Sequence, residues 1–501
     1  MSVTVTPYGE GAAFVDLGLE GAPDRAAQTH ALAEALRARW PAADVVVGAG
    51  TVVVVGVAPD EVVRVAPSAA KEQPARPGRT HVVAAAYDGP DLAEVAEALG
   101  IGQDEVIARH TEAEHVVELV GFLPGFAYLA TPGGARLAVP RRASPRPRVP
   151  AGSLALAAGF TGIYPFASPG GWSLIGRALD ATPFDPDRAP AMLFAPGDRV
   201  RFVATRGDER GRPGEAAPVG ARSPAPEPKG AGLLVLAAPA CATVQDGGRA
   251  GQLGRGIPPS GPLDGETFAA ANRAIGNWPG AAAIEVPLGA LEVEARGGEV
   301  LVSIDGEAPV WLHDGERLRV AASERAVRYL AVRGGLAVPE VLGARATLLA
   351  AGLGGYLGRT LRRRDLLPIG EQGREALPAP PERETARPEE ALAIDPGPHL
   401  ARFPPGAYEA LLGTAWTVSR LGDRVGVRLE GARVPREGPD HALPVPMVRG
   451  AVEITTDGTP IVLGPDHPTT GGYPVLAVLR ASAQAALARK KPGQALRFRP
   501  G

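Results

Sequence analysis

The sequence predicts a mainly β protein in three blocks, the first of which begins as α+β. With 501 residues the chain is longer than the roughly 250–300 residues that one hydrophobic core can serve, so we expect three or four domains. Short β-branched runs bounded by Gly, Pro or Asp recur along the chain, whereas helical periodicity is confined to a few segments. Two stretches rich in Pro, Gly, Ala and charge, 206–230 and 373–395, are predicted linkers. They leave blocks at 1–205, 231–372 and 396–501.

Each block contains predicted strands, and helices are few. Strands are indicated by runs such as Val45–Ala58, Gly298–Gly306 and Thr459–Asp466. Apolar residues at helical spacing predict amphipathic helices over Ala26–Trp40, Asp91–Gly100 and Gly265–Asn277. Gly100 is a typical C-cap for the second of these helices. Since two of the three helices fall near the N-terminus, the first block is expected to begin as α+β.

A weak repeat links the three blocks. Near the block ends lie PGDRVRF (196–202), DGERLRV (314–320) and PGQALRF (492–498). Each reads as a turn followed by a strand with Arg outward and apolar residues inward. A Gly-Gly-aromatic triplet also recurs, at 170–172, 354–356 and 471–473. Such turns and strands are common in β proteins, so the pattern fits either coincidence or tandem copies of one small β-barrel.

Charge and cysteine content exclude several classes of protein. The formal net charge of −3 lacks the basic excess that nucleic-acid or anionic-membrane partners demand, so we expect neither. Cys241 is the only cysteine, which excludes an internal disulfide framework and a thiolate zinc cluster and favours a reducing, cytoplasmic location. The N-terminus does not read as a signal peptide, and no stretch reaches the ~18–20 apolar residues of a membrane span.

Familiar catalytic motifs are missing from the sequence. A Walker loop needs a lysine followed by Ser or Thr after a glycine-rich turn, and no lysine here is so followed. The sequence also lacks HExxH, a metal-spaced His cluster, the GxSxG elbow and the protein-kinase motifs. A nucleotide, if one is bound, must therefore occupy an unfamiliar site.

The first block carries three loops with the composition of a binding site. GFLPGFAYLATP (121–132) sets Phe126 among glycines and a proline, which suits a rigid pocket wall or, equally, a core-lining turn. VPRRASPRPRVPAGS (139–153) crowds four arginines among prolines, and period-2 spacing places Arg146 and Arg148 on one face. Guanidinium forks match carboxylate or phosphate oxygens, although charged proline-rich runs are often solvated loops. GFTGIYPFASPGGWSLIGR (159–177) adds further polar and aromatic residues on a glycine-rich turn.

The second and third blocks contain four polar loops on Gly and Pro turns. They are TVQDGGR (243–249), IPPSGPLD (257–264), ARATLLAAGLGGYLGR (344–359) and GPDHPTTGGYP (464–474). Asp, Ser and Thr in such loops are more often turn-formers than catalysts. His467, beside Asp466, fits either a general base or a lone surface histidine.

In this order the motifs resemble a fusion of the B and C subunits of 5-oxoprolinase. This family is also known as the Kip inhibitor and Kip antagonist family and is related to the carboxyltransferase part of urea amidolyase. The resemblance to the B subunit rests on GFLPGFAYL, PRRASPRPRVPAGS, TGIYPFASPGGWSLIGR and PGDRVRF. The resemblance to the C subunit rests on TVQDGGRAG, GIPPSGPLD, AIEVPLGALE, YLAVRGGL, GLGGYLGRTL, DRVGVRLEG, GAVEITTDGTPIVL and TTGGYP. It spans nearly the whole chain apart from the linkers.

The resemblance implies a fold and an activity. A small N-terminal α+β domain (1–82) would precede three tandem cyclophilin-like β-barrels, at 83–205, 231–372 and 396–501. The activity implied is ATP-dependent opening of 5-oxoproline to L-glutamate, with ATP and Mg²⁺. The implied partner is a separate A subunit, in an oligomeric cytoplasmic complex.

The resemblance also assigns candidate site residues. As catalytic candidates it implies Arg146, Arg148, Asp246 and Asp264, with the two arginines holding a substrate carboxylate or a phosphate. The other candidates would bind substrate; they are Phe126, Arg141, Tyr164, Ser168, Trp172, Gln245, Ser260, Thr470 and Tyr473. Some of the polar residues from the C-like half could face a metal, whose ligands the sequence leaves unassigned.

Departures from the family pattern keep other functions open. PVPMVRG (444–450) stands where the C subunit usually has a Ser-Glu-Gly-like string, DGGR replaces DLGR, and SIDG replaces a TG-type turn, so the substrate could differ. One alternative is a biotin-dependent carboxyltransferase acting on urea or a similar amide, which would need a biotinylated carrier in trans. Another is a regulatory protein that binds a sensor histidine kinase.

Overall fold

The computed structural model describes residues 3–70, 78–131, 137–205, 230–373, 391–437 and 443–501. The protein is mostly β, as the sequence predicts, and the α+β beginning is confirmed. Most of the two predicted linkers lies outside the described residues. The strand Ala391–Pro396 begins inside the predicted linker 373–395, so the third block starts at 391. No helix in the described ranges is long and apolar enough to cross a membrane.

The N-terminal domain is an antiparallel sheet flanked by two helices. Its elements are β1 (Thr4–Pro7), β2 (Ala12–Asp16), α1 (Arg25–Arg39), β3 (Asp44–Val47), β4 (Thr51–Val55) and α2 (Pro59–Ala69), with strand order β1-β2-β4-β3. Strand alternation gives the sheet two apolar faces. One face, with Val52 and Val54, packs with Leu32 of α1. The opposite face, with Phe14 and Val53, packs against the third block.

The rest of the first block is a closed seven-stranded barrel of order β10-β7-β6-β13-β5-β12-β9. Its elements are β5 (Thr80–Ala86), α3 (Leu92–Leu99), α4 (Gln103–Glu112), β6 (His115–Val120), β7 (Ala127–Ala130), β8 (Arg146–Val149), β9 (Ser153–Ala157), β10 (Phe160–Ile163), β11 (Ser168–Gly170), β12 (Ser173–Ala178) and β13 (Arg199–Ala204). Strands β8 and β11 form a separate two-stranded ribbon. Leu129, Leu154 and Leu156 point into the barrel, whereas the alternate residues Tyr128 and Ala155 lie on its outer face.

The second block is barrel-like and consists of two sheets around one core, of order β20-β17-β14-β22 and β15-β16-β21-β18-β19. Its elements are β14 (Gly232–Ala237), β15 (Thr243–Gln245), α5 (Gly265–Ala274), β16 (Ala283–Pro287), β17 (Leu291–Arg296), β18 (Val300–Ile304), β19 (Val310–Leu312), β20 (Arg317–Val320), β21 (Val327–Val332) and β22 (Leu366–Pro368).

The third block is a second closed barrel, of order β23-β30-β27-β28-β25-β24-β31, with a ribbon of β26 and β29. Its elements are β23 (Ala391–Pro396), α6 (Ala407–Gly413), β24 (Trp416–Val418), β25 (Gly426–Glu430), β26 (Val445–Pro446), β27 (Ala451–Ile454), β28 (Pro460–Leu463), β29 (Thr470–Gly471), β30 (Val475–Leu479), α7 (Ala481–Ala488) and β31 (Ala495–Pro500). In chain order its strands follow the same circular order as the first barrel. The repeated strands β13 and β31 each pair in parallel with the first barrel strand of their block, as tandem copies require.

Candidate functional site

Two of the clustered arginines are held by one buried carboxylate. Arg146 donates from Nη2 to Oδ1 of Asp91 at 2.5 Å, and Arg142 donates from Nη1 to the same oxygen at 3.2 Å. Asp91 Oδ2 accepts the Leu174 backbone N–H at 2.7 Å. These bonds fix residues 139–153, the arginine-rich segment, on the barrel beside α3. The segment is therefore an ordered part of the structure, and Arg146 is only partly available to a ligand.

An aromatic cluster covers the outer face of the first barrel next to this segment. Phe126 is buried, and its ring centroid lies 5.1 Å from those of Tyr128 and Trp172 and 5.3 Å from that of Tyr164, each in an edge-to-face arrangement. Gly162 allows this packing, since a Cβ there would lie 2.7 Å from the Phe126 ring. The aromatic residues that the sequence nominated therefore form one wall.

The third block reaches this wall through its ribbon. A Cβ on Gly121 would overlap the Thr470 side chain, so glycine permits the loop of the first barrel to touch β29. Burial raises the pKa of Tyr128, and the Arg141 charge and the neighbouring Thr470 hydroxyl partly oppose this rise. The Thr470 hydroxyl lies beside Tyr128 without regular hydrogen-bond geometry. A Cβ added to Gly256 of the second block would lie 3.4 Å from the Gly121 nitrogen. Loops from all three blocks thus converge at Gly121.

Polar atoms without protein partners lie on the ribbon of β8 and β11. Ser168 Oγ and Arg146 Nη1 are buried and have no hydrogen-bond partner among the described residues. Arg141 is half-buried and forms no ion pair or hydrogen bond with that part of the chain, yet its charge acts on both Tyr128 and Tyr164. Burial raises the pKa of Tyr164 to about 12, against a hydrogen bond with the Trp172 backbone and the charges of Arg141 and Arg146. The junction site is defined by Tyr128, Arg141, Arg146, Tyr164, Ser168 and Thr470.

The candidates from the second block lie in a different cluster. Gln245 donates to Thr243 Oγ1 and the Thr347 carbonyl, and its Oε1 has no described partner. Asp246 accepts the backbone N–H groups of Gly248 and Arg345, the role of a turn-former. The sequence nominates it as catalytic, but both of its oxygens serve the fold.

Two further side chains complete this second cluster. Ser260 has a positive φ of 57° and donates its N–H to the Pro465 carbonyl of the third block, and its hydroxyl has no described partner. Arg249, which the sequence reasoning did not single out, is buried and leaves Nη1 without a partner in the described chain. The sequence signal that could have identified Arg249 was its position at the end of the TVQDGGR loop.

Asp264 is committed to structure although the sequence nominates it as catalytic. It caps α5 by accepting the Thr267 N–H at 3.2 Å, and its two oxygens also accept from Arg489 of the third block at 2.6 and 3.1 Å. A carboxylate so saturated has no oxygen left for a substrate. Arg424 forms a similar bridge, donating to Glu285 at 2.5 Å and to Asp466 at 2.8 Å, so the two blocks are joined by buried ion pairs.

Three other residues that the sequence reasoning considered are not among those that define the junction site. Arg148 is exposed on β8, and Tyr473 is 37% exposed with its ring 6.0 Å from the Arg436 guanidinium. His467 is buried rather than on the surface; burial lowers its pKa to about 4, and Nδ1 lies 2.9 Å from the Pro468 carbonyl. A neutral, hydrogen-bonded imidazole at this place supports packing.

The sequence reasoning missed Glu453. This residue of β27 is buried on the outer face of the third barrel, and burial raises its pKa to about 8. A Cβ on Gly471 would lie 2.9 Å from its Oε1. A carboxyl group in apolar surroundings stays protonated near neutral pH. Alternation with the core residues Val452 and Ile454 places Glu453 on the outer face, where an acidic residue is ordinary, so the sequence offered no signal.

The described residues include no group of three or more His, Cys, Asp or Glu side chains placed to hold a metal. Mg²⁺ is commonly held largely by substrate phosphates and water. The unpartnered Arg146 Nη1 and Ser168 Oγ, with the Arg141 charge, fit the oxygens of a carboxylate or phosphoryl group. The junction site therefore suits an anionic ligand with a small apolar ring.

Two protein-family models match most of the chain. Residues 3–194 match the carboxyltransferase domain, subdomain C and D, and residues 255–500 match the carboxyltransferase domain, subdomain A and B. The crystal structure of TTHA0988 aligns with a TM-score of 0.83 and 32% identity, covering 99% of this chain and 100% of that chain. The arrangement of all three blocks therefore has a solved counterpart.

Curated relatives match the two halves separately. The C subunit of 5-oxoprolinase from Escherichia coli (strain K12) is 35% identical over 280 residues, covering 53% of this chain and 90% of that protein. The B subunit of 5-oxoprolinase from Bacillus subtilis (strain 168) is 49% identical over 117 residues, 23% of this chain and 47% of that protein. The urea amidolyase of Lachancea kluyveri is 31% identical over 298 residues, 52% of this chain but 16% of that protein.

Proposed function

We propose that this chain, which belongs to the carboxyltransferase-domain family of the 5-oxoprolinase B and C subunits, is the B–C part of an ATP-dependent 5-oxoprolinase. In this role it activates 5-oxoproline by phosphorylation, and a separate A subunit then completes ring opening to L-glutamate. Family membership rests on the matched domains and on the Escherichia coli relative, of which the chain covers 90%.

The observation that supports this proposal most is the contact between Thr470 and Gly121. It brings a strand of the C-like half onto the aromatic wall of the B-like barrel, so that one site draws residues from both halves. A site shared in this way explains why both halves are needed for one reaction. It also explains why they can be joined in one polypeptide.

The proposed chemistry follows from the stability of a lactam. Amide resonance resists attack by water, so the lactam oxygen first takes the phosphoryl group of ATP and ADP leaves. Water then adds at the activated carbon, the C–N bond breaks, and glutamate and phosphate are released. ATP with Mg²⁺ supplies the phosphoryl group when bound. Such transfer needs positioned cations and hydrogen-bond donors rather than a covalent catalyst.

Each residue of the junction site has a role in this scheme. Arg141, the guanidinium without a protein partner in the described chain, binds the carboxylate of 5-oxoproline. Ser168 Oγ and Arg146 Nη1 donate to oxygens of the lactam and of the transferring group. The aromatic wall packs against the five-membered ring, and Thr470 closes the site and excludes water.

The test is ATP hydrolysis by the purified full chain, with and without 5-oxoproline and with and without the A subunit. We expect turnover that depends on 5-oxoproline, and we expect glutamate only when the A subunit is present. The second candidate is a biotin-dependent carboxyltransferase, which the matched domain models and the urea amidolyase relative favour. Carboxyl transfer from a biotinylated carrier to urea, with no oxoproline-dependent turnover, would favour this candidate and overturn the first. No turnover in any combination would also overturn the first and favour a regulatory binding role.

A further inference from the structure

A groove lies between α3 and the first residues of the arginine-rich segment, 139–144. It has a volume of about 450 Å³ and lies between α3, residues 139–144 and the start of β12. Sites for small molecules and cofactors commonly measure about 300–1,000 Å³. The groove is separate from the polar cluster of the second block and is large enough to take most of a nucleotide.

The walls of this α3 groove divide into an apolar part and a charged part. Val95, Ala98, Val139 and Pro140 provide apolar surface, and hydroxyl groups come from Ser144 and Ser173. This division suits a ligand with a flat apolar ring at one end and a polar chain at the other.

The charge around the α3 groove favours an anion. Arg142 and Arg146 share Asp91, and Arg142 also donates to Glu94 at 3.0 Å, so two guanidinium groups meet two carboxylates. Arg141 adds a third guanidinium without a carboxylate partner among the described residues. One positive charge is therefore left uncompensated where the groove and the arginine segment meet.

Arg141 connects the α3 groove with the junction site. It lines the groove, and its charge also acts on Tyr128 and Tyr164. Ser173 of the groove follows Trp172 of the aromatic wall directly in the chain. A ligand in the groove with a charged end at Arg141 would thus lie next to a ligand on the aromatic wall.

We propose that the α3 groove binds a nucleoside triphosphate, with its base against the apolar wall and its terminal phosphates at Arg141. This proposal rests on the proposed function and locates the phosphoryl donor in it. Glu94, at the groove edge, accepts a hydroxyl of the ribose. Arg141 then contacts both ligands where they meet, so that the lactam oxygen can approach the γ-phosphorus opposite the departing ADP oxygen, which is the arrangement that direct phosphoryl transfer requires.

The test is calorimetric titration of the full chain with ATP. Ala98→Trp fills the α3 groove from the exposed face of α3, and Ala93→Trp adds the same side chain to that helix outside the groove lining. We expect ATP binding at least about 10-fold weaker in Ala98→Trp and unchanged in Ala93→Trp. Arg141→Ala should weaken ATP and tripolyphosphate by about 10-fold or more and adenosine much less. Circular dichroism and thermal melting verify that each variant is folded.

The outcomes separate this proposal from the proposed function. Equal ATP affinity in wild type, Ala98→Trp and Ala93→Trp would overturn the proposal that the α3 groove binds ATP. A wild-type chain that binds no ATP would overturn it as well. If oxoproline-dependent hydrolysis persists in Ala98→Trp, the function stands and the nucleotide site lies elsewhere in the chain. If the chain alone binds no ATP but hydrolysis occurs with the A subunit present, the function stands and the nucleotide site needs that subunit. If ATP binds in the groove but 5-oxoproline never stimulates hydrolysis, the groove stands and the proposed reaction fails.

Discussion

The two closed barrels share one strand order, but their outer faces carry different side chains. In the first barrel, Ala155 pairs with Leu174, four residues after Gly170. In the third block, Glu453 pairs with Val475, four residues after Gly471, so Glu453 takes the place of Ala155. A Cβ on Gly170 would overlap the Tyr164 hydroxyl, whereas one on Gly471 would contact Met447 and Glu453.

Both outer faces belong to buried clusters that include the N-terminal domain, so the two barrels differ in the polar groups beside these faces rather than in whether the faces are covered. The first barrel surrounds its aromatic wall with arginines and with a serine hydroxyl that has no described partner. The equivalent face of the third barrel is apolar, packs against Phe14 and Val53 of the N-terminal sheet, and contains one neutral carboxyl group. A duplicated scaffold thus has unpartnered polar groups beside one copy and a buried neutral carboxyl group on the other.

The largest effect is expected from removing Asp91, the anchor of the arginine segment in the first barrel. Asp91→Ala leaves two arginines without their shared carboxylate and should lower the free energy of unfolding by about 3–5 kcal/mol. Chemical denaturation and hydrogen exchange over 139–150 measure the loss. Asp88→Ala is the control, because its ion pair with Arg177 is exposed and should contribute less than about 1 kcal/mol. Similar small losses in both variants would contradict the anchoring role.

The second prediction concerns pH and the packing face of the third barrel. Glu453 has a pKa raised from 4.5 to about 8, so between these values the folded protein keeps a proton that the unfolded chain releases. The stabilisation is complete below pH 4.5. It falls by roughly 1 kcal/mol per pH unit on the way to pH 8 and is then lost.

Glu453→Gln should remove this slope and be more stable than wild type above pH 8. Urea denaturation from pH 5 to 9, monitored by hydrogen exchange at the strands of the third barrel, measures it in that barrel. Glu409→Gln, an exposed change in the same block, should leave the slope intact. Parallel pH curves for wild type and Glu453→Gln would show that the carboxyl group is not held neutral.

Most strands and helices could be predicted from the sequence, because hydrophobic periodicity is a local property. The different side chains on the outer faces of the two barrels could not be predicted. PGDRVRF and PGQALRF predict equivalent strands, and the structure places them so. Phe126, Tyr164 and Trp172, which lie in two separate loops of the sequence, come together in one aromatic cluster, and their predicted role in substrate binding stays a prediction. Arg146 forms an ion pair with Asp91, which lies 55 positions earlier in the chain. A short sequence motif cannot predict a contact at that separation.

Contacts between distant parts of the chain also explain why some charged residues have surroundings that the sequence did not predict. Asp264 reads as a catalytic carboxylate, yet its partner Arg489 lies 225 positions away in the next block. Glu453 reads as an ordinary strand residue until the N-terminal sheet covers it. Burial by a distant segment decides whether a charged side chain is catalytic, paired or neutral, and sequence spacing does not report it.

The third prediction tests whether the two barrels must touch. Gly121→Ala places a methyl group against Thr470, so β29 must shift away from the aromatic wall. Displacements of about 1 Å at an active site can lower activity by about 100-fold, and we expect a loss of that size in oxoproline-dependent ATP hydrolysis. Gly102→Ala is the control, because nothing lies within 4 Å of the added Cβ. Full activity in Gly121→Ala would exclude the junction site as the place of reaction.

The smallest effect is expected from Ser168, whose hydroxyl has no described partner. Its removal leaves no protein group unsatisfied, so Ser168→Ala should keep the unfolding free energy within about 0.5 kcal/mol. The KM for 5-oxoproline should rise by about 10-fold, because the substrate loses one hydrogen-bond donor. Thr161→Val is the matched contrast in the same barrel: its hydroxyl lies 3.1 Å from His110 Nε2, so stability should fall by about 1 kcal/mol with KM unchanged. A destabilised Ser168→Ala with normal kinetics would make this hydroxyl structural, and the outer faces of the two barrels would then differ in packing rather than in ligand binding.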